Sequence, residues 1–91
     1  MEVRFKSSYI KALSKLPKQI VVASDEVVER LRNANSLQVS GVDYKKLTGE
    51  ELLYKIRIGG YRIIVEYENP NILMLIIIKR GDAYKKKTFK K

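Results

Sequence analysis

Residues 52–67 read LLYKIRIGGYRIIVEY, two runs of alternating apolar and polar residues around a Gly-Gly pair. This stretch constrains the chain more than any other, because period-two alternation about a two-residue glycine turn specifies a β-hairpin. With such a turn, Ile58 lies opposite Tyr61, Arg57 opposite Arg62 and Lys55 opposite Ile64. One face then carries Tyr54, Ile56, Ile58, Tyr61, Ile63, Val65 and Tyr67, and belongs to a core. The other gathers Lys55, Arg57 and Arg62. Like charges directly across a strand pair destabilise it, so selection for stability alone would avoid this arrangement. Two readings stand at this point: a solvated face with incidental like-charge neighbours, or a cradle for phosphate.

The rest of the chain supplies what the hairpin packs against. Val3 and Phe5 alternate with charged residues over Glu2–Lys6, which predicts a short first strand. Ser7 or Ser8 is placed to cap the helix that follows, in which Tyr9, Ala12, Leu13 and Leu16 recur at helical spacing. Pro17 ends that helix and suits the first turn of a second one over Lys18–Ala34. Its buried stripe is Ile20, Ala23, Val27, Leu31 and Ala34. Leu37–Glu51 is less regular, with Gly41, Asp43, Thr48 and Gly49 as turn residues, and reads as a connecting loop that tucks one or two side chains into the core. Glu68–Asn71 is a turn. Ile72–Ile78 is apolar on both faces, as an interior strand is, so the first strand should flank it on the side the hairpin leaves open. The fold class is therefore α+β: one domain over residues 1–91, an N-terminal strand, then a helical hairpin packed on a four-stranded, mostly antiparallel sheet.

Composition narrows the chemistry. Nineteen Lys and Arg face ten acids, a formal charge of +9 on 91 residues, which points to a polyanionic or acidic partner. There is no cysteine and no histidine, which removes thiolate sites, the commonest metal ligand and the commonest general acid–base group. The reading expects no metal and no cofactor. The N-terminal MEVRFKSSYIK lacks an apolar signal core, and Ile72–Ile78 is too short to span a bilayer, so a soluble, cytoplasmic protein with no membrane partner is expected. Residues 79–91 hold seven bases, Lys79, Arg80, Lys85, Lys86, Lys87, Lys90 and Lys91, against the single acid Asp82. Tyr84 and Phe89 sit among them, and aromatics between basic residues can stack on unpaired bases.

Taken together, Lys55 and Arg57 on one strand, Arg62 on its partner, Arg80 ending the last strand and Tyr84 just beyond form a constellation. Here the chain resembles the RelE/ParE superfamily of bacterial and archaeal toxins of toxin–antitoxin pairs, over nearly its whole length. The pieces that carry the resemblance are KLTGEELLYKIRIGGYRIIVEY and KRGDAYKK. The RelE-like members are ribosome-dependent messenger-RNA endonucleases whose active site is built from basic residues and a tyrosine. By motif position, the resemblance implies catalytic roles for Lys55, Arg57, Arg62, Arg80 and Tyr84. RNA and ribosome contacts are expected from Lys45, Lys46, Lys79, Lys85, Lys86 and Lys87. The implied partners are a cognate antitoxin and a ribosome with messenger RNA in its decoding site.

The residue chemistry fits that implication. RNA carries its own nucleophile, the 2′-hydroxyl, so cleavage needs proton removal, stabilisation of charge on phosphate and protonation of the leaving 5′-oxygen. The guanidinium forks of Arg62 and Arg80 match phosphate oxygens. Lys55, Arg57 and Tyr84 share the acid and base roles without an assignment, and alignment of the RNA carries much of the acceleration. Two alternatives stay open: a ParE-like inhibitor of DNA gyrase, which generally lacks the full set of five residues, and a non-catalytic basic RNA-binding domain. The latter more often displays aromatics on exposed strand faces, whereas Tyr54, Tyr61 and Tyr67 fall on the core face here.

Overall fold

A computed structural model describes residues 1–79. In chain order it contains β1 (Glu2–Phe5), α1 (Ser7–Leu13), α2 (Lys18–Asn33), a 3₁₀ turn at Leu37–Val39, β2 (Tyr44–Lys46), β3 (Leu53–Ile58), β4 (Tyr61–Glu68) and β5 (Asn71–Lys79). The sheet runs β1-β5-β4-β3-β2. Only the β1–β5 pair is parallel. The hairpin register is the one its glycines dictate, with Ile58 opposite Tyr61, Arg57 opposite Arg62 and Lys55 opposite Ile64. Gly59 turns the chain at φ 53°, a left-handed conformation that glycine reaches without a Cβ clash.

Among the described residues the sheet has five strands, not four. The extra one, β2, lies in the stretch expected to be a loop. Three residues are too few for alternation to register, and their sequence, Tyr44-Lys45-Lys46, carries no strand signal of its own. Pairing with β3, Tyr44 to Ile56 and Lys45 to Lys55, makes it a strand, a case of context overriding local preference. The same stretch does bury side chains, as expected, with Leu37 and Leu47 both inside.

Both helices cover one face of the sheet, α1 over β5 and α2 over β1 and β3. Ile56, Ile58, Ile63, Val65 and Tyr67 point at them and meet Val27, Val28, Leu31 and Tyr9, with Leu13, Leu16, Ile20 and Ala23 packed at the margin. Neither serine caps α1: its N-cap residue is Lys6, and no side chain satisfies the cap. Ser8 instead donates its hydroxyl to the carbonyl of Leu75. Pro17 is the N-cap of α2, one position before the expected first turn, and Ala34 is its C-cap rather than its last residue.

Leu75 explains why β5 shows no alternation. In the β4–β5 ladder Ile64 pairs with Ile76 and Val65 with Met74, so Leu75 is an extra residue at a β-bulge. A bulge switches the phase of the strand. Ile72 and Met74 before it and Ile77 after it all reach the helical core. Leu75 joins Leu47 and Ile64 in a second, smaller apolar cluster, flanked by Leu53, Leu73, Ile76 and Ile78. The sheet face away from the helices is therefore divided: apolar towards β5, cationic towards β2. Among the described residues no helix is long and apolar enough to cross a membrane.

Candidate functional site

Alternation along β3 and β4 turns Lys55, Arg57 and Arg62 away from the helices, while Ile56 and Ile63 between them are fully buried. Pairing of β2 brings Lys45 directly opposite Lys55. These four cations, with Asp43 and Tyr44, line one open hollow of about 300 Å³. Lys55 and Arg62 are half-buried, and Lys45 and Arg57 are exposed, so the stems of the central pair cover the sheet while their charged ends stay in reach of solvent. Two like-charge pairs, Arg57–Arg62 and Lys45–Lys55, thus sit on neighbouring rungs. Each opposes pairing by roughly 0.2–1 kcal/mol. Among the described residues, no ion pair relieves Lys45, Lys55 or Arg62.

Arg57 is different. Its Nε donates to Asp43 Oδ2 at 3.1 Å, and its backbone N–H donates to the Asp43 carbonyl at 2.9 Å. Sequence reasoning took Asp43 for a turn residue and missed it as part of this surface, because its place depends on β2. The segment that delivers it is anchored step by step. Leu37 is fully buried, and its N–H donates to the Tyr67 hydroxyl at 3.2 Å. Ser40 donates its hydroxyl to the Leu37 carbonyl at 2.7 Å and accepts the Val42 N–H at 3.4 Å. Gly41 then turns at φ 84°, and a Cβ there would approach an Nη of Arg30 to 3.1 Å.

A hollow of this kind, cationic, open and floored by a rigid sheet, can hold a phosphodiester by several oxygens at once. No protein-family model matches the chain. Among curated proteins, Toxin RelE3 of Methanocaldococcus jannaschii is 32% identical over 84 residues, which cover 92% of this chain and 96% of the relative. This chain belongs to the RelE toxin family. Its fold is also that of family members in solved complexes. The toxin in the crystal structure of a RelB–RelE antitoxin–toxin complex from Methanococcus jannaschii superposes with a TM-score of 0.75 and 29% identity, over 84% of this chain and 88% of that one. An archaeal RelE–RelB complex from Pyrococcus horikoshii gives 0.70 and 29%, over 90% and 97%.

Of the residues for which the RelE resemblance implies catalysis, Lys55, Arg57 and Arg62 come together in the hollow. Arg80 and Tyr84 lie outside the described residues, as do Lys85, Lys86 and Lys87. Among the lysines expected to contact RNA, Lys45 lines the hollow. Lys46, the next residue along β2, lines a separate shallow concavity with Leu47–Glu51. Lys79 ends β5 opposite Tyr61, a rung beyond the Arg62–Ile78 pair. No group of three or more His, Cys, Asp or Glu side chains that could hold a metal ion occurs among the described residues.

Proposed function

We propose that this RelE-family chain is a ribosome-dependent messenger-RNA endonuclease, a translation-inhibiting toxin held in check by a cognate antitoxin. The observation that carries the reading is the gathering of Lys55, Arg57 and Arg62, with Lys45, in one open hollow on the sheet face away from the helices. In the proposed reaction the RNA's 2′-oxygen attacks the adjacent phosphorus, the bond to the 5′-oxygen breaks, and a cyclic phosphate and a free 5′-hydroxyl result. One protein group takes the proton of the 2′-hydroxyl and another gives a proton to the 5′-oxygen. Arg62 stabilises the charge that builds on the phosphate oxygens, a service worth roughly 10²–10³ in rate per preorganised donor. Arg80 joins it in this role. Two of the three groups Lys55, Arg57 and Tyr84 carry the proton transfers, and the third is left to grip the RNA. With no histidine in the chain to exchange protons, the ribosome's alignment of the RNA supplies much of the acceleration.

The two solved structures named above are complexes with RelB antitoxins, which supports a direct protein antagonist here. The divided sheet face suits an acidic, amphipathic segment, whose carboxylates meet Arg57 and Arg62 while its apolar side lies on Leu53, Leu73, Ile76 and Ile78. Such a complex weakens as salt screens its exposed charge pairs.

The test is cleavage of messenger RNA on programmed ribosomes, with free RNA in parallel. Cutting on ribosomes only is the expected result. Arrest of gyrase supercoiling without RNA cleavage replaces the reading with a ParE-like one. Association with RNA and no cutting leaves a binding domain.

A further inference from the structure

Among the described residues Asp43 is the one acid lining a hollow that otherwise holds four cations and Tyr44, and its carboxylate accepts from a single atom there, Nε of Arg57. Both side chains are more than half exposed, at 51% for Arg57 and 63% for Asp43, so the pair adds little to stability. Its geometry is more informative than its strength. The backbone bond from Arg57 to Asp43 fixes the two main chains against each other, and the side-chain bond between the same two residues then holds the guanidinium at Nε. With Nε engaged, the edge formed by Nη1 and Nη2 is left as the free fork. That edge matches two phosphate oxygens. The turn at Ser40–Gly41 and the anchoring of Leu37 set the path of the backbone that carries Asp43.

We propose that Asp43 is a positioning residue: by holding Nε of Arg57 it aims the remaining guanidinium edge at the scissile phosphate, at the expense of one negative charge inside the anion-binding hollow. The inference rests on the endonuclease reading above. Its signature is a split between two quantities that an acid of merely electrostatic effect would move together. Removing the charge favours an anion, so Asp43→Ala, which also leaves no side-chain acceptor for Nε, associates with programmed ribosomes as tightly as wild type or more tightly. Losing the clamp disorders the fork, so the same variant cleaves bound RNA about 10- to 100-fold more slowly, the order that misplacing a reacting group by about an ångström costs.

Single-turnover cleavage on saturating programmed ribosomes, with association measured separately, reads both quantities. Thermal unfolding checks that each variant is folded. The pair Arg57→Lys and Arg57→Lys/Asp43→Ala completes the test, since lysine has no guanidinium fork to aim. In that background Asp43→Ala changes the rate by no more than about twofold, the scatter of independent effects. A folded Asp43→Ala protein that cleaves at the wild-type saturated rate overturns the proposal. So does one whose loss persists undiminished beside Arg57→Lys. A wild-type protein that cuts no RNA on programmed ribosomes overturns the endonuclease reading itself, and the role of Asp43 falls with it; the first measurement therefore separates the two failures.

Discussion

The two faces of this sheet are built from the same strands, residue by residue in alternation, and answer to different demands. On the helical side, Ile56 and Ile63 are cross-strand partners with no exposed surface, and both contribute burial. One residue along each strand, on the far side, the partners are Arg57 and Arg62. There the pairing opposes stability, and among the described residues no helix covers it. What the contrast teaches is that one face sets whether the hairpin exists and the other sets what it does. The helical core supplies the surplus against which the like-charge rungs are tolerated. A rigid hairpin then presents the cations without needing them for folding.

The comparison breaks most directly by exchanging the effects of the two faces. Ile63→Ala removes a fully buried side chain and should destabilise the fold by about 2–5 kcal/mol, read by urea unfolding. Cleavage per folded molecule should stay near wild type. Arg62→Ala should do the opposite, with a roughly 10²–10³-fold loss in saturated cleavage rate and an unfolding midpoint that is unchanged or raised, because a like-charge neighbour is gone. If Arg62→Ala unfolds the protein while Ile63→Ala only slows the reaction, the division of labour between faces is wrong. Arg80→Lys extends the test to the arginine after β5: it keeps the charge but loses the planar fork, and should lower the cleavage step strongly while ribosome association barely changes.

Much of this was legible in the sequence because period-two patterning and a Gly-Gly turn leave the hairpin one register. Lys55, Arg57 and Arg62 followed from that register alone. Three things were not legible, each for a physical reason. β2 is held as a strand by β3 rather than by its own three residues, so Lys45 had no visible address in the hollow and Asp43 was passed over as a turn residue. The bulge at Leu75 hid the alternation of β5, and with it the apolar half of the open face. Ser8 carries the composition of a cap, yet its hydroxyl is used by the carbonyl of that bulge. Local signals named the residue types; only the ladder could say which neighbours they serve.

A smaller effect sharpens the boundary between docking and chemistry. Lys86→Ala, in the basic C-terminal sequence, should weaken ribosome association by an amount that shrinks as salt rises, since it removes a phosphate-neutralising charge. Bound RNA should be cut at nearly the wild-type rate. A salt-independent loss in the saturated rate would move Lys86 from docking into the chemistry.

The smallest effect at neutral pH concerns the helical face, where one polar atom departs from its apolar character. Tyr9 is 1% exposed, and its hydroxyl is buried without a hydrogen-bond partner among the described residues. Ser24 is close enough to lower the phenol's pKa slightly, but its own hydroxyl donates to the Val21 carbonyl at 2.7 Å. Burial outweighs Ser24, and with the charge of Asp25 it raises the pKa above the ordinary 10.0. The native state therefore keeps this proton at pH values where the unfolded chain releases it. The resulting stability is fully present below about pH 10 and is lost as pH rises through the native value. Tyr9→Phe removes a hydroxyl that pairs poorly, so at about pH 7 it should shift stability by no more than about 1 kcal/mol in either direction. Above pH 10 the variant should gain steadily on wild type, because phenylalanine has no proton to lose. Urea unfolding of both proteins at about pH 7 and about pH 11 reads the difference. If the two lose stability in parallel across that range, Tyr9 is not the alkaline weak point of the helical core.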